Sequence, residues 1–219
     1  MSQKSDVRFF RHYKNKPYKY IGVVRHSETL EEMALYESLY ENALGRMWVR
    51  PKEMFFENVV IEGVTRPRFE KITFEFKSSH SLTETECLQH AEIYEKCFSK
   101  PLKKEHFDAK LKAHKNFLFL NVFDKEKLVG FKFGYAQDKD LFYSWTGGVL
   151  PEYRQLGLAG ELMKKQHEWC VKNEFKKIET RTRNNFTDMI RLNFSFGFKI
   201  IGTQNSHKDD IKVILEKVL

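Results

Sequence analysis

The chain has 219 residues, of which 41% are hydrophobic and 31% are charged, a composition typical of folded globular proteins. No apolar run approaches the roughly 20 residues that cross a bilayer, so we expect no membrane-spanning segment. The net charge of +8 would suit nucleic acid, but lysines and arginines are dispersed among acidic residues instead of forming a basic block, which does not favour a nucleic-acid partner.

The three cysteines, Cys87, Cys97 and Cys170, are odd in number and widely spaced. Cys87 and His90 have zinc-ligand spacing, but no second pair completes a site. We therefore predict neither a disulfide framework nor a bound metal. A reducing cytoplasm is the simplest location for such a chain.

The first 69 residues contain short β-prone runs separated by turn residues, which predicts a small all-β, barrel-like domain over residues 1–69. Two longer stretches are distinctive: RHSETLEEM at 25–33 and YESLYENALGRMWVRPKEMF at 36–55. They resemble a small bacterial domain of unknown function, over about residues 9–69. This resemblance implies no activity.

The turn-like segment 65–68 marks the predicted boundary, and residues 70–219 are predicted to form a mixed α/β domain. Apolar runs of strand length alternate there with amphipathic runs. The predicted order is strand 72–76, helices 83–98 and 104–114, strands 116–123, 128–136 and 141–149, helix 161–172, strand 177–183, helix 186–194, and strands 198–203 and 211–218. Thr83 or Thr85 is expected to cap the first helix.

The loop from Pro151 to Gly160 is rich in small residues and lies between a predicted strand and a predicted helix. Such a loop directs several backbone N–H groups toward whatever lies at the helix N-terminus, where the helix dipole favours an anion such as a phosphate. Neither the G-x-x-x-x-G-K-[ST] nucleotide loop nor the dinucleotide pattern G-x-G-x-x-G occurs here. An ordinary loop with glycines for packing remains the alternative.

The spacing Arg154-x-x-Gly157-x-Ala159 resembles the acyl-CoA signature [QR]-x-x-G-x-[GA] of the GNAT N-acetyltransferase superfamily. A predicted helix that ends in Gly197-Phe198 follows at a similar distance, and FYSWTGGV at 142–149 adds to the match. The resemblance covers about residues 71–219. It implies a GNAT fold, in which two central strands splay apart and the cofactor enters the gap.

The resemblance also implies an activity, the direct transfer of an acetyl group from acetyl-CoA to a primary amine of a small molecule or peptide. The pyrophosphate would be held by backbone amides of the loop, with charge added by Arg154. The strand residue Val149 would bind pantetheine and donate its amide to the thioester carbonyl. The implied loop residues are Gln155, Leu156, Gly157, Leu158, Ala159 and Gly160.

Asn193 stands where many GNAT enzymes have a tyrosine that protonates the leaving thiolate. An amide can form a hydrogen bond to the cofactor but cannot act as an acid. Asn193 is therefore predicted either as a catalytic-centre contact with the cofactor or as a polar residue at the end of a helix. Asn185 is predicted to be an N-cap or a cofactor contact, and we favour the cap.

Tyr143 is a candidate catalytic residue, as a base or proton relay in the acceptor site, although a core aromatic is at least as good an interpretation. Tyr143 and Trp145 should share a strand face with Gly147 and Val149 if no bulge intervenes. His167 is expected to be a packed or surface histidine.

A second hypothesis is an acyl-CoA-binding sensor or adaptor with little turnover, whose first domain contacts protein or RNA. The missing tyrosine is the feature that supports it. The acceptor amine and the oligomeric state, monomer or dimer, stay open.

Overall fold

The computed structural model describes residues 8–206 and 210–219, so residues 1–7 of the predicted first domain lie outside it. The chain divides into two compact units, the first ending at Phe74 and the second beginning at Glu75. The two units are described separately.

The first unit is built on an antiparallel sheet, as the β-prone runs predict. Its strands are β1 (Arg8–His12), β2 (Pro17–Arg25), β3 (Glu32–Ser38), β4 (Met47–Pro51) and β7 (Phe69–Lys71), in the order β4-β3-β2-β1-β7. A hairpin of β5 (Asn58–Ile61) and β6 (Val64–Pro67) accompanies it, together with one helical turn, α1 (Lys52–Phe56), that the sequence did not predict.

The core of the first unit is aromatic. Phe55 of α1 is fully buried, and its ring stacks on that of Phe69 with 4.1 Å between centroids. Phe10 and Tyr36 pack against the same ring, so the helical turn closes the sheet's inner face by burying large aromatic side chains.

The second unit has the predicted mixed α/β architecture. Its sheet of seven strands has the order β13-β14-β12-β11-β10-β9-β8. The strands are β8 (Phe74–Ser79), β9 (Lys115–Asp124), β10 (Lys127–Ala136), β11 (Leu141–Val149), β12 (Lys177–Arg183), β13 (Lys199–Ser206) and β14 (Asp210–Val218), and the helices are α2 (Glu84–Phe98), α3 (Lys104–Ala113), α4 (Leu158–Lys172) and α5 (Thr187–Ser195).

Helices cover opposite faces of this sheet. On one face His90 of α2 packs against Phe131 and Phe133 of β10. On the other face Trp169 of α4 packs against Phe142 of β11. Successive residues of a strand point to opposite faces, so the two helices pack against alternate residues of the central strands.

The central strands β11 and β12 are parallel but pair only briefly. Their register runs from Leu141 opposite Lys177 to Ser144 opposite Thr180. The Thr180 hydroxyl donates to the Ser144 carbonyl at 2.9 Å, which holds the last paired position. Beyond it β11 continues on β10 and β12 continues on β14, so a gap opens between them.

A β-bulge lies at Trp145, so the condition for Tyr143 and Val149 to share a face is not met. Phe133 pairs with Thr146 while Gly134 pairs with Ser144, which leaves Trp145 as an extra residue. Tyr143 and Trp145 face the α3 side, where Trp145 stacks on Phe107, while Val149 faces the other side.

Two helix starts can be compared with the sequence. Thr83 caps α2 through a capping box with Glu86, which confirms one of the two predicted caps. Helix α4 begins at Leu158, three residues earlier than the predicted start at 161. Leu158, Ala159 and Gly160 therefore form the first turn of the helix, and their amides are oriented by helical geometry.

We predict that a fragment of residues 73–219 folds alone and binds acetyl-CoA with the affinity of the whole chain, because β8 and every implied cofactor contact lie within it. Circular dichroism and calorimetric titration test this. A matched fragment, 80–219, lacks β8 and should unfold at a lower temperature, because it uncovers the edge of β9. A folded 73–219 fragment that binds tenfold more weakly, about 1.4 kcal/mol, would contradict the prediction.

Candidate functional site

The gap between β11 and β12 is lined by unpaired backbone of β11. The Leu150 amide donates to the Val129 carbonyl at 2.9 Å, and Val149 lies opposite Gly130 in the register. Hydrogen-bonded and non-hydrogen-bonded pairs alternate in an antiparallel ladder, so the Val149 amide points away from β10 and into the gap. By the same alternation the amide of Gly147 also points into the gap, which the sequence analysis missed.

The loop after β11 exposes its backbone and buries its apolar side chains. A 3-10 turn at Pro151–Tyr153 is followed by Gln155 and Gly157, both with positive φ, of 64° and 75°. Leu156 and Leu158 are buried and anchor the segment, whereas Gly157 is exposed. The anchoring fixes which way the intervening amides point.

The N-terminus of α4 carries orphan amides. The first hydrogen bond of the helix runs from the Glu161 amide to the Gly157 carbonyl at 3.1 Å. The amides of Leu158, Ala159 and Gly160 therefore have no carbonyl acceptor within the helix. Gly157 is the N-cap and offers no side chain. No described atom lies within 4 Å of the position of an added β-carbon at Gly157, so the approach to these amides is open.

Arg154 is occupied by the protein itself. Its Nε donates to the Val149 carbonyl at 3.3 Å and its Nη2 donates to the Cys97 carbonyl at 3.2 Å. These bonds tie the loop to the end of β11 and to the last turn of α2. In this structure Arg154 positions the loop, and its charge lies beside those carbonyls.

Helix α5 places the two asparagines differently from the favoured interpretation. The N-cap of α5 is Phe186, with no side-chain cap bond, so the prediction that Asn185 caps the helix is wrong. Asn185 is exposed in the turn after β12 and is free to contact a ligand. Asn193 is 2% exposed, and its Nδ2 donates to the Met189 carbonyl one turn earlier at 2.8 Å. That bond matches the helix-end interpretation.

A cleft of about 210 Å³ opens on the α3 side of the sheet, and Tyr143 lines it. Tyr135 packs 5.4 Å from Tyr143 between ring centroids, and the Arg181 guanidinium lies 5.9 Å from the Tyr143 ring. The remaining lining residues are Lys110, His114 and Gln137. Burial raises the pKa of Tyr143 to about 12, so at neutral pH it is a protonated phenol that can donate a hydrogen bond.

Polar groups also lie on the α4 side of the sheet. One of them, Lys132, was not predicted from the sequence. Its Nζ donates to the Ser144 hydroxyl at 2.9 Å, at the point where β11 and β12 separate. The signal in the sequence is a lysine between two buried phenylalanines, Phe131 and Phe133, in an otherwise apolar strand. His167 is packed on this side as expected, and burial lowers its pKa to about 3.

Within residues 8–206 and 210–219, no group of three or more His, Cys, Asp or Glu side chains is arranged to hold a metal ion. His90 instead bonds the Glu86 carbonyl at 2.6 Å and the Asn121 side chain at 2.8 Å, so it is a structural link between α2 and β9. No helix in the described part of the chain is long and apolar enough to span a membrane.

Comparison with known families agrees with this geometry. Residues 87–198 match the acetyltransferase (GNAT) family, and residues 8–71 match a family described as protein of unknown function (DUF1653). The splayed sheet and the open helix N-terminus thus belong to an acetyltransferase domain. The chain is a member of the GNAT family, with a DUF1653 domain before the GNAT domain.

Solved structures share this fold at low sequence identity. The ribosomal-protein-S18-alanine N-acetyltransferase from Escherichia coli matches with 17% identity and a TM-score of 0.57, over 66% of this chain and 94% of that chain. Arabidopsis thaliana NAA60, in complex with a bisubstrate analogue, matches with 14% identity and a TM-score of 0.55, over 67% and 98%.

A GNAT family acetyltransferase from Elizabethkingia anophelis, with acetyl-CoA bound, matches with 15% identity and a TM-score of 0.50, over 68% of this chain and 98% of that chain. At such identities the likeness shows the fold. No curated protein matches the chain.

We predict that Gly157→Glu weakens acetyl-CoA binding about a hundredfold or more, because the carboxylate would occupy the open approach to the α4 amides and repel a phosphate. Calorimetry measures the affinity. Gly63→Glu is the matched control, since Gly63 also has positive φ and open space but lies in the first unit. Unchanged affinity of Gly157→Glu would show that this loop is not the phosphate site.

We predict that Asn193→Tyr lowers the free energy of unfolding by about 1–3 kcal/mol, because a larger ring has no room at a position that is 2% exposed. Denaturant titration measures the change. Ser195→Ala is the control: it also removes a bond to a helix carbonyl, at 2.8 Å, but from an exposed residue, and should change stability by less than about 0.5 kcal/mol. A stable Tyr variant with faster turnover would refute the helix-end role.

Proposed function

We propose that this protein transfers an acetyl group from acetyl-CoA to a primary amine of a small molecule or peptide by direct transfer. The observation that carries the proposal is the gap between β11 and β12, which presents the Val149 amide and leads to the open N-terminus of α4. Family membership supports acetyl transfer as the chemistry.

The residues divide the task. The amides of Leu158, Ala159 and Gly160 would bind the pyrophosphate at the positive end of the helix dipole. The Val149 and Gly147 amides would bind the pantetheine arm and the thioester carbonyl, whose oxygen gains negative charge when the amine nitrogen attacks the carbonyl carbon. Asn185, exposed in the turn after β12, would contact the cofactor.

The acceptor would enter from the opposite face, through the cleft lined by Tyr143. This cleft lies on the α3 side of β11, whereas Val149 faces the α4 side, so the two substrates would meet across the gap. The Tyr143 phenol stays protonated at neutral pH and would orient the acceptor by donating a hydrogen bond. The acceptor ammonium would first lose a proton to water, and the neutral amine would then attack the carbonyl carbon.

Release of free thiol from acetyl-CoA, measured with a panel of amines, tests the function. The panel should contain amino acids, their amides, polyamines and peptides with a free N-terminus. Turnover on one class supports the proposal and identifies the acceptor class. Tight binding of acetyl-CoA without thiol release on any amine would instead favour an acyl-CoA sensor.

We predict that Tyr143→Phe slows acetyl transfer by about 2- to 10-fold, the loss of one hydrogen bond worth about 0.5–1.5 kcal/mol, while acetyl-CoA affinity is unchanged. Tyr135→Phe is the matched control: its hydroxyl lines the same cleft but already accepts from Lys110 at 3.4 Å. A wild-type rate in Tyr143→Phe, or an equal loss in both variants, would argue that Tyr143 is only a core aromatic.

A further inference from the structure

A cluster of polar side chains lies between α4 and the sheet at the point where β11 and β12 separate. Lys132 of β10 and Ser144 of β11 form its sheet side, joined by the 2.9 Å bond between Nζ and the hydroxyl. Ser144 is also the last residue of β11 that pairs with β12. The amine is thus held at the closed end of the gap in which the thioester is proposed to lie.

The groups that face Lys132 leave its charge without a counter-ion. From α4 come Cys170, whose pKa burial raises to about 12, and His167, so both are neutral at pH 7. From β14, Lys217 approaches His167, with 3.1 Å between Nζ and Nδ1. Among the described residues, no carboxylate acts on the charge of Lys132.

The same interface contains polar atoms that the protein leaves without a partner. The Gln166 side chain is 0% exposed, and neither its Nε2 nor its Oε1 forms a hydrogen bond within the described structure. The Nε2 of His167 is in the same state. A buried amide without a partner costs about 1–3 kcal/mol of desolvation, which marks this interface as one built for polar contacts and not for apolar packing alone.

The chemistry of thioester cleavage supplies a use for such an amine. When the amine acceptor has formed its bond to the carbonyl carbon, the C–S bond breaks and the electron pair stays on sulfur. A proton or a nearby positive charge stabilises the sulfur as it leaves. Asn193 supplies neither, because its side chain cannot act as an acid and donates to its own helix.

Resting on the proposed function, we propose that Lys132 donates the proton that the sulfur of coenzyme A takes up. The N–H bond of the Lys132 ammonium breaks, the S–H bond of free coenzyme A forms, and the neutral amine regains a proton from water. Burial lowers the pKa of Lys132 to about 8, close to the ordinary thiol pKa of about 8.5, so transfer between the two is nearly balanced. Lys132 would be a proton donor on β10 in place of one on α5.

The test compares the affinities of coenzyme A and of desulfo-coenzyme A, which lacks the thiol, by calorimetry at pH 8. We expect the wild type to bind coenzyme A about tenfold more tightly, because the thiol and Lys132 form a charge-assisted hydrogen bond. Lys132→Met should remove this preference without weakening desulfo-coenzyme A. Lys132→Arg should keep it, because the positive charge is retained.

A Lys132→Met variant that keeps the tenfold preference overturns the proposal, and so does a folded wild type that binds both ligands equally. A wild type that binds neither ligand refutes the proposed function itself. Should Lys132→Met fail to fold, Ser144→Ala removes the 2.9 Å bond that positions the amine and should reduce the preference; an unchanged preference there counts against the proposal.

Where the amine panel yields turnover, the pH profile gives a second readout. The wild-type rate should fall as pH rises through about 8, because Lys132 loses its proton there. In Lys132→Arg the rate should be lower and this limb should be absent, because guanidinium stays protonated above pH 12 and does not give its proton to sulfur. A limb of the same position in Lys132→Arg would assign it to another group.

Discussion

The second unit is organised by one constraint: β11 and β12 stop pairing after Ser144 and Thr180. Parallel strands normally satisfy each other's backbone, so their separation leaves the β11 amides of Gly147 and Val149 without a strand partner. Such a gap is costly for a closed sheet and useful for a protein that binds an extended, peptide-like ligand edge-on. The hydroxyl of Thr180, donating to the Ser144 carbonyl at 2.9 Å, fixes where the gap begins.

The proposed anion site is a consequence of the same separation. Because β11 ends at Val149, the chain can turn through Gln155 and Gly157 and begin α4 at the open end of the gap. Buried Leu156 and Leu158 hold that turn from below, and Arg154 ties it to the Val149 carbonyl. The helix dipole and three orphan amides then favour negative charge at this point. A short loop would thus couple the proposed phosphate site to the proposed thioester site.

Local sequence signals predicted much of this arrangement. Periodicity located the strands and helices of the second unit, and Thr83, one of the two threonines expected to cap α2, marks its start. The gap itself came only from the resemblance to GNAT proteins. Features that depend on pairing between separate segments were not predicted. The bulge at Trp145 follows from the register with β10. The role of Arg154 depends on Cys97 of α2, and that of Lys132 depends on Ser144 of β11 and on α4. Asn185 failed as a cap because the helix begins one residue later than a cap at that position requires.

The position of Asn193 connects these points to the chemistry. At 2% exposure, with its amide bonded to Met189, it completes the end of α5 and leaves no room for a larger acidic group. A thiolate leaving group with a pKa near 8.5 can depart unprotonated, so the reaction does not demand a donor on α5. Departure of the thiolate is nevertheless favoured by a positive charge near sulfur. In a site of low dielectric an ammonium without a counter-ion attracts the sulfur more strongly than it would in water. Lys132 would supply this charge from β10, on the side of the gap opposite α5. The bond to Ser144 places its amine where β11 and β12 separate.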